Sequence, residues 1–315
     1  MVFEDISKLE SMDLDEKSKL FGNTTYLPKP HRRSRSNMML NPLKLKHLNR
    51  LDELEADVVT LNLEDAIAPS RKKEALINIA LFLSNLKKRK SQIVVRTNPI
   101  DGGGKEEIEF LKELPFDAIR IPKVRGAKEI KEALEILPKN RELHLSIETK
   151  EAFNNLSTLR VDERVTTVNL GILDLLADLK LPQSLLKLNN PTIEYILSKF
   201  LIDSKIAGFL PVSFMYQDYK DIDRFKRWLE LEKMMGFTSK ACMGPAQVEV
   251  VNRVFEVDED EIKRALEIKE AFEANSQKGI NGFMHKEYGF IDEPIYKDAL
   301  NIISTYQAQK HLKEC

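Results

Sequence analysis

The chain has 315 residues, long enough for one large α/β barrel or two smaller domains, and 42% of them are hydrophobic, ample for a sizeable core. Its 49 basic and 50 acidic residues nearly cancel, so bulk charge gives no reason to expect nucleic-acid binding. Cys242 and Cys315 have no zinc-ligand spacing, no apolar run reaches the length of a membrane span, and the start Met1-Val2-Phe3-Glu4-Asp5 lacks the pattern of a signal peptide, so a reduced, cytoplasmic protein is expected.

Residues 1–30 are polar and end in Pro28-Lys29-Pro30, which predicts an arm with room for one short helix. The basic run His31-Arg32-Arg33-Ser34-Arg35 is either a solvated entry or an anion contact. Strand and helix patterns then alternate. Strands are predicted at 36–40, 57–64, 92–98, 116–123, 143–149, up to Leu170, at 206–210 and at 237–243. Helices are predicted at 43–54, from Pro69, at 105–114, 127–137, just after Glu148, at 191–203, 219–235 and 245–255. Eight strand–helix units over about 220 residues favour a closed (β/α)8 TIM barrel, here over 31–255. Beyond it, Asp258-Glu259-Asp260-Glu261 opens a helical pattern. Asn281-Gly282 and Tyr288-Gly289 mark a hairpin, and a last helix starts near Pro294. Residues 256–315 therefore form a lid or an oligomer arm.

Inside a barrel, strand alternation sends Thr60, Asn62 and Glu64 inward, together with His144, Ser146 and Glu148, while Val59, Leu61, Leu63, Leu143, Leu145 and Ile147 face the helices. Polar groups at the C-terminal ends of barrel strands are where such folds carry chemistry. Leu63-Glu64-Asp65-Ala66, Val95-Arg96-Thr97-Asn98-Pro99 and Ile121-Pro122-Lys123 each end a strand. Glu148 ends the fifth and Asp174 follows the sixth. Two such carboxylates suit Mg²⁺, which takes one or two carboxylates and completes its shell with water and substrate oxygens. The competing reading is that both cap helices. Arg96 is suited either to a substrate carboxylate, through two parallel hydrogen bonds, or to an ion pair with Glu64. Gly102-Gly103-Gly104 lacks the flanks of a nucleotide loop and reads as a flexible turn. His144 reads as a locally bonded interior residue.

Taken in order, Arg35-Ser36, Leu63-Glu64-Asp65-Ala66, Val95-Arg96-Thr97-Asn98, Pro122-Lys123-Val124, Ile147-Glu148-Thr149 and Gly171-Ile172-Leu173-Asp174-Leu175 resemble the motifs of the HpcH/HpaI aldolase and citrate lyase beta-subunit superfamily. Asp65 to Pro69, Gly236 to Lys240 and Gly289 to Pro294 extend the resemblance over about residues 31–310, nearest the malyl-CoA lyase-like branch. The resemblance implies a Mg²⁺-dependent lyase that cleaves a 3-hydroxyacyl-CoA or citryl thioester into a 2-keto acid and an acyl thioester. It assigns the metal to Glu148 and Asp174 and the keto-acid carboxylate to Arg96. Asp292 would be an acid/base reaching a neighbouring subunit's site within a homotrimer. Glu64 and Asp65 join Arg96 and Asp292 as candidate catalytic residues, and Arg35 and Lys123 are candidate cofactor contacts. The implied partners are a small keto acid and a CoA thioester, with no nucleic acid and no membrane.

The chain departs from the family pattern where Met39-Leu40-Asn41-Pro42 replaces Phe-x-Pro-Gly. It also carries Asn62 for Asp, Leu173 for Glu, and Gly244 for the usual His. These changes cluster at the barrel mouth and point to a divergent member. A CoA-independent aldolase and a non-catalytic or partner-dependent subunit are the alternatives.

Overall fold

Short runs of apolar residues, each closed by a polar turn, build a parallel sheet whose connecting helices cover its outer side. The computed structural model describes residues 1–30, 33–256 and 258–310; Cys315 and the first two residues of the basic run at 31–35 lie outside them. The strands are β1 Ser36–Leu40, β2 Val58–Asn62, β3 Gln92–Arg96, β4 Ala118–Ile121, β5 Glu142–Ile147, β6 Val165–Leu170, β7 Leu210–Val212 and β8 Lys240–Cys242. They lie in the order β7-β6-β5-β4-β3-β2-β1-β8. Ser213, just past β7, closes the ring. Its N–H donates to the Ser239 carbonyl at 2.9 Å and its own carbonyl accepts from the Ala241 N–H at 3.1 Å. The result is the (β/α)8 TIM barrel that the alternation predicts.

Two short helices, α1 Ser7–Ser11 and α2 Leu14–Ser18, precede the barrel. After the strands come α3 Leu45–Leu48, α4 Lys72–Asn85, α5 Gly104–Leu111, α6 Ala127–Ile136, α7 Lys150–Asn154, α8 Ile172–Asp178 with α9 Pro191–Ala207, α10 Ile222–Met235 and α11 Pro245–Val254. Each seats apolar residues on the sheet, and the layer between holds Phe214 edge-on to Trp228 with centroids 5.1 Å apart. A fully buried ion pair, Lys240 to Glu232 at 2.5 Å, crosses this layer and takes a hydrogen bond from the Ser213 hydroxyl at 2.6 Å. No described helix is long and apolar enough to cross a membrane.

Residues 1–30 belong to the same unit as the barrel. The N-terminal ammonium bonds Asp52 at 2.9 Å, Phe3 meets the ring of Phe82 edge-on, and buried Lys17 donates to Asn78 at 3.2 Å. One difference from expectation lies beside this packing. The helix predicted over 43–54 shrinks to α3, and Asn49 at its end bonds the backbone of Phe3 with its side chain. A second correction concerns the strand predicted at 206–210. Helix α9, capped by the Asn190 side chain and started by Pro191, runs on to Ala207. It stops at Gly208, whose φ of +76° suits a left-handed helix end, and β7 begins only at Leu210. Ile206, apolar but 70% exposed, had imitated a strand residue.

The second unit comprises α12 Glu259–Ser276, the antiparallel pair β9 Gly282–His285 and β10 Gly289–Asp292, and α13 Glu293–Lys310. Its core contains Ala265, Ile268, Phe272, Ile291, Ala299 and Ile303, with Phe272 stacked on Tyr296.

Candidate active site

The C-terminal ends of the barrel strands surround a cavity of about 590 Å³. Its wall includes Asn62 of β2 and Asp65 just after it, Arg96 of β3, Arg120 of β4, Glu148 after β5, Asn169 of β6 and Asp174 in the first turn of α8. The alternation expected for β2 and β5 thus holds at Asn62 and Glu148.

Arg96 is the hub of the charged groups. Its Nη2 lies 2.7 Å from Glu64 Oε2, 3.4 Å from Glu148 Oε2 and 3.8 Å from Asp65. Lys123 Nζ reaches Glu64 Oε1 at 2.8 Å and Asp65 at 3.6 Å. Lys123 has φ +53° and Ala66, after Asp65, φ +70°, both in the left-handed region that side-chain-bearing residues avoid. Such backbone costs roughly 1–3 kcal/mol per residue and concentrates at functional sites. At Lys123 the turn aims the backbone N–H at Glu148 Oε1, 2.8 Å away.

The electrostatics divide the carboxylates. Burial acts to raise Glu64, but its hydrogen bonds to Asp65 and Lys123 and the charge of Arg96 outweigh this and hold it at about 2. Partial burial and the neighbouring Glu64 carboxylate push half-exposed Asp65 up to about 6. Burial also raises Glu148 above the usual carboxylate range, against the pull of Arg96 and Arg120. Asp174 is exposed to the cavity and, among the described residues, has no hydrogen-bond or ion-pair partner.

Two candidates lie elsewhere. Arg35 precedes β1, at the N-terminal ends of the strands. It grips Asp57 with its backbone N–H (3.0 Å), Nε (2.8 Å) and Nη2 (3.1 Å), and donates from Nη1 to the Asn252 carbonyl. It does not line the cavity, and its cofactor assignment is corrected to a structural clamp. Asp292 ends β10 in the second unit, where its Oδ1 accepts from the Ile295 N–H at 3.3 Å at the start of α13.

Arg120 was missed by the sequence reading. It is 8% exposed, donates from Nε to the Ser146 hydroxyl at 2.9 Å and from Nη1 to Asn169 Oδ1 at 3.2 Å. A lone arginine between Ile119 and Ile121 in a strand was the available signal, since alternation turns it inward once its neighbours face the helices. His144 is buried within 3.5 Å of Glu142, in keeping with a locally bonded interior residue.

Residues 35–245, more than half of the chain, match the model of the HpcH/HpaI aldolase/citrate lyase family. A (3S)-malyl-CoA thioesterase of Cereibacter sphaeroides is 28% identical over 246 residues, covering 78% of this chain and 85% of the relative. The mitochondrial citramalyl-CoA lyase of Rattus norvegicus is 27% identical over 281 residues, 82% of each protein. The solved structure of protein CitE from Mycobacterium tuberculosis in complex with magnesium, acetoacetate and coenzyme A shares the fold, with a TM-score of 0.66 at 20% identity over 85% of this chain and 97% of that one. The motif order, the barrel and the family match agree: the chain belongs to the HpcH/HpaI aldolase/citrate lyase family.

Proposed function

We propose that the chain is a Mg²⁺-dependent carbon–carbon lyase that cleaves a 3-hydroxyacyl-CoA or citryl-like thioester to a 2-keto acid and an acyl thioester. The observation that carries this reading is the pairing, on one cavity, of buried Glu148 with unpartnered Asp174 beside Arg96. The donor set fits the ion. Both ligands are hard oxygens, and the described residues contain no cluster of three or more His, Cys, Asp or Glu side chains that could hold a metal alone. A cation held by Glu148 and Asp174 would take its remaining ligands from water and substrate, the habit of Mg²⁺. Bound there, it would supply Lewis-acid polarisation of the keto-acid oxygens.

The chain's own residues do the rest. Arg96, fixed by Glu64, offers its guanidinium to the keto-acid carboxylate. Asp65, at the cavity wall and titrating near 6, can hold a proton at close to neutral pH. Asp292 is the proposed acid/base, delivered by a neighbouring copy in a homotrimer. The test is release of a 2-keto acid from malyl-, citramalyl- and citryl-CoA, with Mg²⁺ and with EDTA. Release that survives EDTA, or survives Glu148→Ala, contradicts the reading. One observation favours a variant of it: Met39, Leu40, Asn41 and Met243, which lie in or beside the departures from the family pattern, line the cavity. If those changes have removed the thioester handle, free hydroxy-keto acids are cleaved and the CoA thioesters are not.

A further inference from the structure

Several cations of the barrel are neutralised by contacting carboxylates. Arg35 is paired with Asp57, Arg89 with Asp117, Lys240 with Glu232, and both Arg96 and Lys123 with Glu64. Arg120 is as buried as Arg96, yet among the described residues it forms no ion pair. Its partners, the Ser146 hydroxyl and the Asn169 amide oxygen, are both neutral. A guanidinium has five N–H donors, and these two bonds leave three for the cavity that Arg120 lines.

Its neighbour makes the situation worse. Arg96 and Arg120 are register partners on β3 and β4, so two guanidinium groups enter the barrel from adjacent strands. Burial, then Arg96, push Arg120 down to about 9, which still leaves it charged at neutral pH. A buried charge without a counter-ion is costly, and a like charge beside it adds to the cost. Arg96 escapes through Glu64. Arg120 has only the non-contacting carboxylates of Glu148 and Glu64 to offset its charge, and a contacting counter-ion would come from whatever fills the cavity.

We propose that Arg120 binds a second carboxylate of the substrate's acid half, so that the enzyme selects a dicarboxylic 2-keto acid over a monocarboxylic one. This rests on the reading of the cavity as the keto-acid site. On that reading a keto acid's one carboxylate lies on Arg96, which Glu64 already pairs, and Arg120 is left without a contacting counter-ion. One with a further carboxylate satisfies both, and a planar guanidinium fork suits that group better than a point charge does.

Oxaloacetate and pyruvate differ by one carboxylate and serve as probes. Their binding to the full-length protein is measured by isothermal titration calorimetry with Mg²⁺ and again in EDTA. The wild type is expected to prefer oxaloacetate by about tenfold or more, the usual effect of one charge-assisted pair. Arg120→Gln should bring the two affinities to within about twofold by weakening oxaloacetate alone. A wild type without preference, or a glutamine variant that keeps it, overturns the assignment. If Arg120→Gln does not fold, Arg120→Lys should keep part of the preference and Arg120→Met none; a lysine variant no more selective than the methionine one also overturns it. Thioester cleavage by the wild type is followed in parallel. Discrimination without cleavage upholds Arg120 and removes the lyase reading, and cleavage without discrimination does the reverse.

Discussion

Gly171 lies so close to Glu148 that a Cβ added to it would fall 2.6 Å from Glu148 Oε2 and 2.7 Å from its Cβ. The glycine's backbone has negative φ, so space and not conformation demands it. Gly171→Ala must therefore move Glu148. The overpacking should cost about 1–3 kcal/mol, and a ligand displaced by roughly 1 Å can lose about 100-fold in rate. Urea unfolding and Mg²⁺-dependent keto-acid release on the same preparation should show a small stability loss with a large activity loss.

The Lys240–Glu232 pair makes a prediction about stability. Burial lowers Lys240 and raises Glu232, and each group's pull on the other opposes that shift. Lys240→Met alone leaves Glu232 uncompensated and should cost about 3–5 kcal/mol. Adding Glu232→Gln, which can still bond the Ser213 hydroxyl, should recover most of it. A double variant no more stable than the single one would show that the pair does not act as a unit.

His144 predicts a pH dependence. Burial depresses its pKa below the usual 6.5, against the pull of Glu142. In the unfolded chain the imidazole takes up a proton as pH falls through 6.5, while in the folded chain it stays neutral until a lower pH. Stability is therefore lost in that window, by at most about 1.4 kcal/mol per pH unit. Glu142, held below the usual range once the bonds from His144, Lys29 and Thr166 outweigh its burial, adds a loss in the same direction at lower pH. Urea unfolding from pH 7.5 to 5.5 should show the decline, and His144→Gln should flatten the part below 6.5.

The clamp between Arg35 and Asp57 separates stability from binding. Arg35→Gln should destabilise by about 3 kcal/mol while leaving keto-acid affinity within about twofold. A large affinity loss without destabilisation would instead restore Arg35 to the site.

The barrel was legible because strand and helix patterns alternate along the chain, with apolar and polar residues alternating within β2 and β5. The β7 region misled because Ile206 and Phe209 flank the glycine that ends α9, so an apolar run straddles a helix terminus. The tie between Asn49 and Phe3, and the seating of residues 1–30 on the barrel, depend on contacts distant in sequence that carry no local signal. At the site, Glu64, Arg96, Glu148 and Asp174 stand in recognisable motifs at strand ends. Arg120 stands in none, and only its place in the strand gives it away. Arg35 sits in a motif, yet the sheet direction sends it to the other end of the barrel.

Titration of Mg²⁺ into the wild-type protein, Glu148→Gln and Asp174→Asn tests the central claim most directly. The account predicts one site in the wild type and at least about a tenfold loss of affinity in each variant, with folding preserved. Equal Mg²⁺ affinity in all three proteins would contradict it.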